Sequence, residues 1–168
     1  MLLKTIDKER YRRNSRNVYF AIVAWLILVT LASSTAFIYL FSDPQNDNFI
    51  YNLAGVVTAV LGLLVIWSQL KSRSYLADIE YIRQLKSLLN RINRKLAKLE
   101  KAAKTGDINA FISLDYSYKA SRLIWELDNN TLLMSELQIR EQKLSDGLAK
   151  FNLSIDDKQF NPEMLSAY

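Results

Sequence analysis

Few side chains in this 168-residue sequence can do chemistry, and their spacing limits what they could do. Neither Cys nor His occurs, which removes thiolate and imidazole metal ligands, Cys nucleophiles and His general bases. Acid–base work would fall to carboxylates, either Asp115 with Glu126 or Asp128, or Asp156-Asp157 with Glu163. Acids of these types occur on any solvated helix, and neither group adjoins a Gly-rich phosphate loop or another partner motif. Arg122 and Trp125 stand within an apolar stretch, where a guanidinium stacks on a ring or pairs with Asp115 or Glu126. Core structure accounts for them equally well. The chain reads as non-enzymatic, with no catalytic residue, metal or cofactor.

The loudest charge signal is the run Arg83, Lys86, Arg91, Arg94, Lys95, Lys98, Lys101 and Lys104. Its charges interleave with apolar residues rather than with stacking aromatics, and no nucleic-acid module accompanies it, so nucleic acid is not an expected partner. Anionic lipid would reach only its first residues if the helix projects away from a membrane. The net charge of +5 hides an asymmetry. Residues 1–17 carry six bases against two acids, and residues 71–104 carry ten against three, whereas residues 105–168 carry six against ten. The basic run is therefore expected to be a solvated face turned partly toward the acidic half of the same domain.

Anything functional must be positioned by two apolar segments. Residues 18–41 hold 24 positions without a charge, and Phe49–Leu70 hold 22 more. As helices each is on the order of 33 to 36 Å long, enough to cross a hydrocarbon core of roughly 30 Å. The segment 42–48 between them carries Asp43 and Asp47 but no base, and Asp43-Pro44 can start a turn. Arg12, Arg13 and Arg16 precede the first span, and Lys71 and Arg73 follow the second. A loop without Lys or Arg between basic flanks predicts both termini in the cytoplasm. Cleavage near Ala32-Ser33-Ser34-Thr35-Ala36 is the competing reading. The apolar run continues through Phe41 and a second span follows at once, which suits a retained hairpin.

Gly55, Ala59 and Gly62 share one face of the second span and let another helix approach closely. That helix is either a second copy of the chain or the first span, which carries Ala24, Ala32 and Ala36. No Asp, Glu, Lys, Arg or His lies within either span, which disfavours transport by this unit alone.

No Gly or Pro occurs between Leu63 and Thr105, so the second span can run on into a helix outside the membrane. Leu85, Leu89, Ile92, Leu96, Leu99 and Ala103 repeat at 4-3-4-3-4, a heptad seam about three repeats long. Either a coiled coil or an intramolecular bundle needs that stripe. Gly106 ends the helix, and Asp107 can cap the next, about residues 108–128, whose apolar residues occupy most of its circumference. Asp128-Asn129-Asn130-Thr131 breaks that helix. Ser135-x-x-Gln138 reads as a capping box opening a last helix, with Leu137, Leu144, Leu148 and Phe151 on one stripe. The tail after residue 152 is polar, and its ending, Met164-Leu165-Ser166-Ala167-Tyr168, can dock on the bundle or on a partner.

The expected architecture is all-α. It comprises a basic leader (1–17), a transmembrane hairpin (18–70), a cytosolic bundle of about three helices (71–152) and a tail (153–168). The expected function is a membrane-anchored helical interaction or scaffold module, presenting the seam or the tail to another protein or to its own copies. The alternative is a small oligomeric pore or membrane-stress effector, packed through Gly55, Ala59 and Gly62. The expected partners are the lipid bilayer and either a second copy or another protein.

Several stretches together carry a family resemblance: Asp7-Lys8-Glu9-Arg10-Tyr11-Arg12-Arg13, Asn52-Leu53-Ala54-Gly55-Val56-Val57 and Tyr81-Ile82-Arg83-Gln84-Leu85-Lys86. They continue with Leu89-Asn90-Arg91-Ile92-Asn93-Arg94-Lys95-Leu96, Leu127-Asp128-Asn129-Asn130-Thr131 and Asn161-Pro162-Glu163-Met164-Leu165. Nearly end to end, the chain resembles the bacterial inner-membrane family termed domain of unknown function 3087. The resemblance implies a two-span protein of the cytoplasmic membrane of a Gram-negative cell. It carries over no catalytic residue, ligand or partner, and it points to Asn90, Asn93 and the Asp128-Asn129-Asn130 turn as family-defining polar contacts.

Overall fold

The computed structural model describes residues 3–42, 47–71, 73–156 and 159–168. Among these the chain is all-helical, with α1 (Lys8–Phe41), α2 (Phe49–Leu70), α3 (Ala77–Asn93), α4 (Leu96–Ala103), α5 (Ile108–Leu127), α6 (Met134–Lys150) and a 3-10 helix (Pro162–Ala167). Two units form, one of Glu9–Glu80 and one of Met1–Lys8 with Tyr81–Tyr168.

In the first unit α1 and α2 make an antiparallel hairpin. Both are long and apolar enough to cross a membrane, and only 6% and 11% of their most apolar stretches are buried. The core helix of a soluble protein would be mostly covered, whereas these two leave most of their apolar surface open. α1 begins at Lys8, so the basic residues from Lys8 to Arg16 belong to the same helix as the apolar run. Charged residues are good helix formers, and nothing between Lys8 and Val18 breaks the pattern. Asp43 and Pro44, the expected turn, lie outside the described residues. Asp47 Oδ1 accepts the N–H of Phe49 at 3.0 Å, and the Ser42 hydroxyl donates to Asn48 Oδ1 at 2.7 Å.

The second apolar helix does not run on. After Leu70 the chain turns, with Arg73 N–H donating to the Leu70 carbonyl at 2.9 Å and Leu76 N–H to that of Arg73 at 2.9 Å, before α3 starts at Ala77. A second break divides the heptad stripe. At Lys95 the backbone bond switches to the carbonyl three residues back, Ile92, and α4 resumes at Leu96.

In the second unit α5 is the central element, packed by α4, α6 and the 3-10 helix. Its buried residues include Phe111, Leu114, Tyr116, Tyr118, Ile124 and Leu127, as its nearly all-round apolar pattern requires. α4, α5 and α6 end in the same way. A residue of positive φ (Gly106 at 86°, Asn129 at 54°, Asn152 at 51°) is followed by an N–H that reaches back five residues: Asp107 to Ala102, Asn130 to Trp125 and Leu153 to Leu148. This closure satisfies carbonyls left open by the helix end, and glycine or asparagine best tolerates its left-handed residue. The capping box expected at Ser135 does not form, because α6 starts two residues earlier and Leu133 takes the cap position without a side-chain bond.

Candidate functional site

The hairpin contact is built from small residues. Gly55 and Ala59 are buried, and Trp25 donates its indole N–H to the Ala59 carbonyl at 3.0 Å. The Ser33 hydroxyl reaches the Gly55 carbonyl at 3.3 Å, and that of Ser34 reaches the Asn52 carbonyl at 3.4 Å. A Cβ on Gly55 would meet Ser34 Oγ and lie 2.8 Å from its backbone N, and one on Gly62 would lie 3.1 Å from Trp25 Cζ2. The face of Gly55, Ala59 and Gly62 is thus filled by α1 of the same chain. Ala24, Ala32 and Ala36 do not supply the filling surface, since all three are exposed. Ser33 and Ser34 take that place, and their hydroxyls add bonds that alanine could not.

The basic residues flanking the hairpin gather at its open end. Arg10 Nη2 donates to Asp78 Oδ2 at 2.7 Å, and Asn14 donates its amide to the Tyr75 carbonyl at 3.3 Å. Asn14 is buried although polar. These bonds tie the start of α1 to the segment that follows α2. Arg12, Arg13, Arg16, Lys71 and Arg73 are all exposed.

The heptad residues face inward. Leu85, Leu89, Ile92 and Leu99 are between 0% and 7% exposed, and Leu96 is half-buried. The expected interaction seam is therefore the inner face of the helical unit, divided between α3 and α4 and not presented for docking. A stripe of this period serves either purpose, and the break at Lys95 was not marked by Gly or Pro. The tail also packs on its own unit. Phe160 stacks on Tyr116 with ring centroids 4.1 Å apart, Leu165 is buried, and Lys95 and Lys98 donate to the carbonyls of Leu165 and Tyr168.

The acidic candidates are not brought together. Asp115 pairs with Lys119 at 2.9 Å, Asp128 with Lys86 at 2.9 Å, and Glu163 accepts from Asn161 at 3.3 Å. Asp157 lies outside the described residues. Arg122 pairs with Glu141 of α6 rather than with Asp115 or Glu126, Nε donating at 3.2 Å and Nη2 to the second oxygen. That hydrogen bond raises the Arg122 pKa above its ordinary value. Asn90 and Asn93 are exposed, whereas Asn129 supplies the left-handed residue that closes α5. No cluster of three metal-ligating side chains occurs among the described residues.

One cavity went unnoticed in the sequence. Between α4, α5 and α6 lies an open cleft of about 760 Å³, floored by Phe111, Leu114, Leu144 and Phe151 and rimmed by charged residues. Phe111 and Phe151 meet edge to face at 6.3 Å. The lining residues are spread over 52 positions, from Glu100 to Phe151, and carry no local motif, so only the fold assembles them.

The chain belongs to the family described as Protein of unknown function (DUF3087), whose model matches residues 1–165. No curated protein and no solved structure matches it.

Proposed function

We propose that the chain is a non-enzymatic, membrane-anchored helical module of the bacterial cytoplasmic membrane. In this reading α1 and α2 span the bilayer, both flanks face the cytoplasm, and the helical unit is a binding platform. The supporting observation is the clasp at the open end of the hairpin. Arg10 with Asp78 and Asn14 with Tyr75 hold the two basic flanks together. Arg12, Arg13, Arg16, Lys71 and Arg73 then share one side, opposite a loop without Lys or Arg. Positive charge beside short spans stays cytoplasmic.

The seam is not the docking surface in this proposal, because it is already buried. The pore alternative loses the small-residue face that motivated it, since α1 covers Gly55 and Ala59. Reporter fusions within the 42–48 loop and after Tyr168 test the orientation. Loop activity outside with Tyr168 activity inside is the expected pattern, and external activity at Tyr168 overturns it. Crosslinking in intact membranes with mass spectrometry tests the platform. One reproducible foreign protein supports it, and a discrete homo-oligomer alone replaces it with the pore.

A further inference from the structure

The cleft between α4, α5 and α6 has properties that the packing of the helical unit does not demand. Its floor is hydrocarbon; Gly147 borders it, and Gly106 lies against the ring of its Phe151. A Cβ on Gly147 would lie 2.9 Å from Phe111 Cε1, and one on Gly106 would lie 3.1 Å from Phe151 Cδ1. Both rings keep their places because side chains are missing there. The resulting volume falls in the range of about 300 to 1,000 Å³ in which small-molecule sites occur.

The rim is unevenly charged. Arg140 is engaged by Glu136 at 2.7 Å, and Glu100 is the other acid. Lys104, Lys143 and Lys150 complete the rim, and none has an ion-pair partner among the described residues. Lys150 Nζ stands 5.5 Å from the Phe151 ring centroid, at the junction of rim and floor. Burial, with the nearby Glu100, raises the pKa of Tyr118 at the cleft wall.

We propose that this cleft binds a soluble single-chain anionic amphiphile, its carboxylate or phosphate head held by Lys104, Lys143 and Lys150 and its hydrocarbon chain laid on Phe111, Leu144 and Phe151. Unmatched cations beside an apolar floor fit a ligand that carries both features at once. A nucleotide fits less well: its base edge needs donors and acceptors on the floor, and Phe111, Leu114, Leu144 and Phe151 offer no side-chain partner. The inference goes beyond the proposed anchoring role and does not depend on the orientation of the spans.

The test uses the full chain in nanodiscs of neutral phosphatidylcholine, photolabelled with a diazirine-bearing fatty acid or its neutral alcohol analogue. Adducts are mapped by mass spectrometry. The acid should label peptides containing Phe111 and Phe151 about tenfold more than the alcohol does, a difference of about 1.4 kcal/mol. Dodecyl phosphate should compete, whereas inorganic phosphate and adenosine triphosphate should not. Lys104→Glu/Lys143→Glu/Lys150→Glu should remove cleft labelling with unchanged far-ultraviolet circular dichroism. If that variant loses helicity, the single Lys143→Gln and Lys150→Gln variants should each lower it severalfold. Adducts confined to α1 and α2 would overturn the proposal by assigning the probe to bilayer lipid. Equal labelling by acid and alcohol, or competition by inorganic phosphate or the nucleotide, would overturn it as well.

Discussion

The phenol of Tyr168 donates to Oδ2 of Asp107 at 2.8 Å, while Oδ1 of the same carboxylate accepts the N–H groups of Asn109 at 2.9 Å and Ala110 at 3.3 Å. One side chain thus starts α5 and receives the tail. Asp107→Ala should lower the unfolding free energy by about 2 kcal/mol, the upper part of the range for a lost cap. Tyr168→Phe should cost about 1 kcal/mol, and the double variant little more than Asp107→Ala alone. Chemical denaturation of the full chain in neutral nanodiscs, followed by far-ultraviolet circular dichroism, measures all three. Additive losses would mean that the cap and the tail are independent.

Alkaline stability should depend on Tyr116. Its hydroxyl is buried without a hydrogen-bond partner among the described residues, and burial pushes its pKa to about 12. The folded value lies above the unfolded one of about 10. Its contribution to stability is complete below about pH 10 and is lost as the pH rises through the folded value. Tyr116→Phe should flatten this alkaline loss and, at neutral pH, change stability by no more than about 1 kcal/mol, if anything upward. The melting temperature against pH for the two proteins is the measurement. Tyr168, also raised by burial and by its bond to Asp107, contributes with the same sign and should remain in the variant.

Ile92 and Leu99 are fully buried. Ile92→Ala and Leu99→Ala should each destabilise the helical unit by about 2 to 5 kcal/mol, whereas the exposed Arg91→Ala should stay within about 0.5 kcal/mol. Limited proteolysis and denaturation distinguish these outcomes. Weakened self-association with unchanged unfolding would instead make the stripe an interface.

Gly55→Ala should disturb the hairpin more than Gly62→Ala. The first places a methyl 2.8 Å from the Ser34 backbone N, and the second places it 3.1 Å from a side-chain atom of Trp25. Overpacking of this kind costs about 1 to 3 kcal/mol. With Trp67 and Trp125 replaced by Phe, Trp25 emission reports on the contact. Gly55→Ala should shift it to shorter wavelength, because the indole exchanges the Ala59 carbonyl for hydrocarbon, and an unshifted spectrum would show that the helices absorb the methyl.

Much of this architecture is legible in the residues that cannot do otherwise. Uncharged runs of 24 and 22 residues allow little besides long apolar helices, and Gly106-Asp107 marks a stop and a start with one residue type each. The Asp128-Asn129-Asn130 turn reads similarly, because Asn tolerates the left-handed conformation that closes α5. What escaped the sequence depends on distant partners. The breaks after Leu70 and at Lys95 involve neither Gly nor Pro, and a heptad stripe does not say whether its partner is the same chain. Arg122 has acids within reach on its own helix yet takes Glu141, nineteen residues away, because the packing of α6 on α5 brings a carboxylate alongside. The cleft residues have no common period, so no local pattern announces them.

The clasp of Arg10 on Asp78 also sets how the hairpin would respond to force. Tension between the two chain segments at the open end loads the Arg10–Asp78 and Asn14–Tyr75 bonds first. It reaches Trp25–Ala59 and then Ser33–Gly55 only after these have parted. The contacts break in sequence, like the teeth of a zipper, rather than sharing the load. The load therefore passes from rung to rung, and a single substitution at Arg10 would lower the force at which opening starts while leaving the inner rungs as they are.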